Sequence, residues 1–91
     1  MTFSVANKLK EMHLEIITPD RKVYDGEATS VRFPGTDGSF EVLNNHAPLI
    51  AALRDGDVTV TGAGGGTFHI SGGIVEVLHN QVIVLAESAS A

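Results

Sequence analysis

Ser71-Gly72-Gly73-Ile74-Val75-Glu76-Val77-Leu78-His79-Asn80-Gln81-Val82-Ile83-Val84-Leu85 is the stretch on which the fold turns. Two runs of bulky, β-branched and aliphatic residues, Ile74 to Leu78 and Gln81 to Leu85, flank the pair His79-Asn80. A two-residue separation between such runs predicts a tight β-hairpin, although Asn-Gly would be the stronger cue. Val75 and Val77 recur with the period of two that a strand requires. Ile74 beside Val75, and the unbroken Val82-Ile83-Val84-Leu85, also put bulk on both faces. That pattern predicts interior strands, or strands covered on both faces.

Upstream the same alternation repeats in shorter pieces. Thr29, Val31 and Phe33 share one face; so do Phe40 with Val42, Val58 with Val60, and Phe68 with Ile70. Turn signals separate these pieces: Pro19-Asp20, Asp25-Gly26, Asp37-Gly38, Asn44-Asn45, Asp55-Gly56, the glycine run from Gly62 to Gly66, and Gly72-Gly73. Their spacing of roughly 6 to 12 residues suits short antiparallel strands and leaves no room for helices between them. The one helical suggestion, Val5 to Met12, is too short and too poorly capped to stand alone. Strands with apolar faces and no helix to cover them bury those faces as two packed sheets or a flattened barrel. The fold class read from the residues is therefore all-β, a flattened β-sandwich.

With 91 residues the chain makes one domain. Its 43% hydrophobic content is spread along the chain, which argues against disorder. No window approaches the ~18 unbroken apolar residues of a spanning helix, and Met1 to Met12 lacks the apolar centre of a secretory signal. There is no cysteine, so disulfides, thiolate nucleophiles and cysteine zinc sites are excluded. Net charge is −5, and beyond residue 33 the only lysine or arginine is Arg54. Nothing here forms the basic stripe that a phosphate backbone needs, so no nucleic-acid partner is expected.

The residues that could carry chemistry do not assemble into a motif. Gly62 to Thr67 has no P-loop lysine and no following helix, and reads as a hairpin tip. Ser71-Gly72-Gly73 lacks the nucleophile elbow. Asp55 and Asp57 flank a glycine in a turn, where solvated carboxylates are ordinary. Four histidines, His13, His46, His69 and His79, open one alternative, a cupin-like metal-binding β-barrel enzyme. Their spacing contains no short-range ligand pair, and His69 should point away from the face that Phe68 and Ile70 bury. Elemental analysis separates that alternative from a metal-free binding module.

One stretch remains, Pro34-Gly35-Thr36-Asp37-Gly38-Ser39-Phe40-Glu41-Val42-Leu43-Asn44-Asn45-His46-Ala47-Pro48-Leu49. Small and polar residues in loops on a rigid sheet are where binding usually lives. Together with Leu14 to Pro19, Val23 to Gly26, Ser71 to Val77 and Val82 to Glu87, in that chain order, it resembles the N-terminal domain of the epsilon subunit of bacterial F-type rotary ATP synthase. The resemblance runs from Met12 to Glu87, leaving 1–11 as an N-terminal extension and 88–91 as a tail.

The resemblance implies a flattened sandwich of about ten strands and a non-catalytic rotor subunit in the central stalk, without a cofactor. Its partners would be the gamma subunit and the membrane c-ring, with the complex peripheral to the cytoplasmic face of the plasma membrane. Carried over onto this sequence, Thr36, Asp37, Gly38 and Ser39 would face the c-ring, with Ser39 able to offer only a hydrogen bond. Asn45, His46, Ala47, Pro48 and Leu49 would face gamma, where small groups allow close packing and Pro48 stiffens the approach. Many members continue into a pair of C-terminal helices that bind ATP and inhibit hydrolysis. This sequence ends Ala86-Glu87-Ser88-Ala89-Ser90-Ala91, so neither ATP binding nor inhibition by helix insertion is expected of it.

Overall fold

A computed structural model describes residues 11–62 and 64–91. Most of the N-terminal extension, and of the helical suggestion at Val5 to Met12, lies outside the described residues. Ten strands follow in chain order: β1 Met12–Ile17, β2 Lys22–Ala28, β3 Ser30–Gly35, β4 Gly38–Leu43, β5 Leu49–Leu53, β6 Gly56–Thr61, β7 Gly66–Ile70, β8 Gly73–Leu78, β9 Gln81–Ala86 and β10 Ala89–Ser90. They form a single sheet in the order β10-β7-β6-β3-β5-β8-β9-β1-β2, with β4 also paired to β3.

The sheet closes on itself because its middle is narrow. β3 meets β5 at one register pair, Gly35 with Leu53. Thr36 N–H donates to the Ala52 carbonyl at 3.1 Å, and Arg54 N–H to that of Pro34 at 2.9 Å. So short a ladder lets the two halves turn and face each other. Val31, Phe33, Val42, Val58, Val60 and Ile70 come from one half. They pack on Leu14, Ile16, Val75, Val77, Val82 and Val84 from the other. On the far side the Tyr24 ring of β2 meets Phe68 of β7 edge-on, with centroids 5.3 Å apart. The Thr61 carbonyl there accepts from both the Thr29 N–H and the Thr29 hydroxyl, at 2.8 and 3.0 Å.

The hairpin read from the sequence is present. Leu78 pairs with Gln81, and His79 and Asn80 take φ 50° and 60°. Two central residues at positive φ make the turn whose twist matches that of its strands, and Asn and His tolerate that region better than most side chains. β8 and β9 are interior strands, flanked by β5 and β1.

The hairpin strands are interior without being covered on both faces, and two other expectations need correction. The outer face of this hairpin is not covered: Ile74, Leu78 and Leu85 are 41%, 44% and 51% exposed. A two-layer sandwich has no third layer to lay over it. The strands are not all antiparallel, since β1 runs parallel to β9. Those two strands are joined by no turn of their own, so turn spacing carries no information about their direction. Thr29 does not share the buried face of Val31 and Phe33; it is exposed at the corner between β2 and β3.

Candidate partner-binding surfaces

β4 acts as a ruler between the two segments singled out in the sequence. Thr36 and Asp37 form the turn that enters it, closed by the pair Gly35 with Gly38, and Asn44 to Pro48 leave its other end toward β5. Four strand residues, Phe40 to Leu43, separate the segments, a span of about 13 Å. They therefore sit toward opposite ends of β4.

At the turn end Thr36, Asp37, Gly38 and Ser39 are all exposed. Gly38 takes φ 126°, a conformation open to glycine and costly for other residues, and this returns the chain into β4. A groove of about 470 Å³ starts at this turn and follows β5, with Thr36 and Asp37 at one end and Leu49 and Ile50 at the other. Leu49 thus belongs to the same groove as the turn, whereas Asn45, His46, Ala47 and Pro48 line a second cleft of about 450 Å³.

At the loop end the backbone turns sharply at Leu43 to His46. His46 N–H donates to the Leu43 carbonyl at 3.1 Å, and Asn45 has φ 65°. His46 is half-buried, with Nδ1 2.7 Å from the Ala47 carbonyl, while Ala47 and Pro48 are exposed. The far wall of the cleft is the β8–β9 turn, His79 and Asn80. Sequence reading places that pair in a hairpin but does not connect it to the loop. It also overlooks Ile50, which is 67% exposed on the outer face of β5. The alternation of Leu49, Ala51 and Leu53 does carry that signal, since it turns Ile50 and Ala52 outward.

The histidines do not converge. His69 pairs with Asp57 across β6 and β7, Nδ1 to Oδ1 2.9 Å, on the solvent side. Among the described residues, the group of three or more His, Asp or Glu side chains close enough to share an ion is His13, Glu15 and Asp25. It contains one histidine and belongs to an exposed charge network on β1 and β2. His13 Nδ1 lies 3.0 Å from Glu27 and Nε2 2.8 Å from Asp25, and Lys22 reaches Asp25 at 3.3 Å. The hydrogen bond to Glu27 raises the His13 pKa above its ordinary value; burial opposes this, and the nearby carboxylates of Asp25, Glu27 and Glu15 add to it. Nothing in this arrangement supports the histidine-barrel alternative.

The comparisons with known proteins bear on the family and the fold. Residues 11–91 match the family model described as ATP synthase, Delta/Epsilon chain, beta-sandwich domain. The ATP synthase epsilon chain of Chlorobium limicola is 41% identical over 88 residues, covering 94% of this chain and 100% of that protein. The one from Caulobacter vibrioides is 40% identical, covering 89% and 95%. The one from Nitratidesulfovibrio vulgaris (strain DSM 19637 / Miyazaki F) is 48% identical over 82 residues, covering 88% of this chain and 60% of that protein. Among solved structures, a chain of the Euglena gracilis mitochondrial ATP synthase, OSCP/F1/c-ring, has a TM-score of 0.81 at 21% identity, covering 89% of this chain and 53% of that one. A chain of the Tetrahymena thermophila mitochondrial ATP synthase central stalk/c-ring has 0.76 at 17%, covering 87% and 65%. These last two show a shared fold. By family model and by full-length relatives, the chain belongs to the ATP synthase delta/epsilon chain β-sandwich family.

Proposed function

We propose that this chain is a rotor subunit of an F-type ATP synthase, standing in the central stalk between the gamma subunit and the membrane c-ring. It couples proton translocation to ATP synthesis as a mechanical part and does not itself catalyse. The observation that carries this reading is the correspondence with an ATP synthase epsilon chain along that relative's whole length. The Tetrahymena neighbour of the same fold comes from a central stalk/c-ring assembly, which supports the same position.

The geometry suits the role. Two segments toward opposite ends of β4, about 13 Å apart, allow one rigid body to touch two partners at once. The exposed, acidic turn Thr36 to Ser39 meets the c-ring, and Asn45 to Leu49 meets gamma. A coupler needs shaped, hydrogen-bonding surfaces and a stiff connection between them, and needs no reactive group. No helix among the described residues is long and apolar enough to cross a membrane. Attachment through the two protein partners, on the cytoplasmic face, is the arrangement we infer.

Co-purification tests this. The chain should retain its own gamma subunit at micromolar concentration, and gamma with the chain bound should retain the c-ring. A chain that does not hold gamma under those conditions is not a stalk subunit.

A further inference from the structure

We infer that Asn80 is a positioning residue for the gamma-facing loop, holding Asn44 to Pro48 in its docking shape from a separate hairpin; this rests on the reading of that loop as the surface that meets gamma. The Asn80 side chain is spent on the loop. Its Oδ1 accepts from the Asn45 N–H at 2.7 Å, and its Nδ2 donates to Asn44 Oδ1 at 3.0 Å and to Asn45 Oδ1 at 3.2 Å. Both amide hydrogens and the carbonyl oxygen are thereby directed at one segment.

The clamp is itself anchored. The Asn80 carbonyl accepts from the His13 N–H at 2.9 Å, which ties the turn to β1, and its φ of 60° belongs to a turn set by two paired strands. By contrast Asn44 to Pro48 lie between β4 and β5, outside any ladder. The bonds that His46 makes, to the carbonyls of Leu43 and Ala47, are local and fold the loop only onto itself. Asn80 instead connects the loop to the rest of the sandwich. It also shares with His46, Ala47 and Pro48 the cleft that a gamma side chain would enter. A loop ordered before the partner arrives spends less of its interaction energy on ordering, so the clamp acts as affinity.

Two variants of the full chain test this. Asn80→Gly accepts the positive φ without strain and removes all three bonds. Asn80→Asp keeps the acceptor for the Asn45 N–H but loses both donors. Affinity for the gamma subunit should fall about tenfold in Asn80→Gly, with Asn80→Asp between it and the wild type. Amide exchange at Asn45 should quicken in Asn80→Gly, while Glu76 and Ile83, a hydrogen-bonded pair inside the hairpin ladder, keep their protection. A merely structural role would expose the ladder amides as well. The inference is overturned if either variant, with its ladder intact, binds gamma as tightly as the wild type, or if both lose the ladder. A wild-type chain that fails to bind gamma removes the underlying reading, and the inference goes with it.

Discussion

The two ends of β4 are built by different means. The turn end takes its shape from backbone: a pair of ladder residues, the two amides at the β3–β5 junction, and Gly38 at positive φ. The loop end adds to its own backbone turn at Leu43 to His46 a brace from a side chain more than thirty residues away in sequence, Asn80. The difference teaches where each surface is vulnerable. A backbone-built turn should tolerate changes in its exposed side chains and fail at its glycines, whereas a loop braced by a distant side chain should loosen when that amide is removed. Between them lies the core, whose loss would take both ends together.

The strongest test of that separation is Phe33→Ala. Phe33 is fully buried in β3 and packs against Phe40 with ring centroids 5.5 Å apart. Its loss should cost about 3–5 kcal/mol by urea denaturation and weaken both partner contacts at once. Next is Gly73→Ala, near the turn end. Gly73 has φ 146°, and an added Cβ would lie 2.4 Å from the Leu85 carbonyl oxygen. We expect a loss of about 2–3 kcal/mol, and a neutral result would mean that this backbone can relax. Asn80→Gly should cost the isolated chain only about 1 kcal/mol, so its effect on gamma binding would not be a consequence of unfolding.

Two smaller effects separate the ends further. His13 has a raised pKa in the folded state, first through its hydrogen bond to Glu27. Folding therefore favours its protonated form. The stabilisation is complete below the ordinary value of 6.5 and is lost as pH rises through the raised folded-state value. Melting curves of wild type and His13→Gln should differ at pH 6 and draw together as the pH rises above 6.5; curves that stay parallel would remove His13 from the account. Asp37→Ala should leave stability unchanged within about 0.5 kcal/mol, as for an exposed turn residue. It should nevertheless loosen the hold on the c-ring, and unchanged retention there would take Asp37 out of the proposed contact.

Legibility follows the same division. The Gly35 to Gly38 turn and the His79-Asn80 hairpin can be read because neighbouring residues decide them. The buried valines of β8 and β9 can be read because alternation reports which face is apolar. The exposure of Ile74 and Leu85 cannot, since alternation does not say whether anything lies over the second face. The candidate segments draw notice from loop composition and acquire partners only through resemblance. Asn80 stands out in the sequence as a turn former, but nothing linear reveals its grip on Asn44 and Asn45.

The amino-acid sequence by itself determined most of the strands, their turns and inward residues and, through ordered blocks of resemblance, the family. Those features depend on local φ/ψ preference and on burial, which a linear pattern records. Only the tertiary structure decided that β1 lies parallel to β9, that the sheet closes through a single pair at Gly35 and Leu53, and that the two candidate surfaces stand at opposite ends of one strand. These are contacts between residues far apart along the chain, selected by how two apolar faces fit together, and no periodicity encodes that choice.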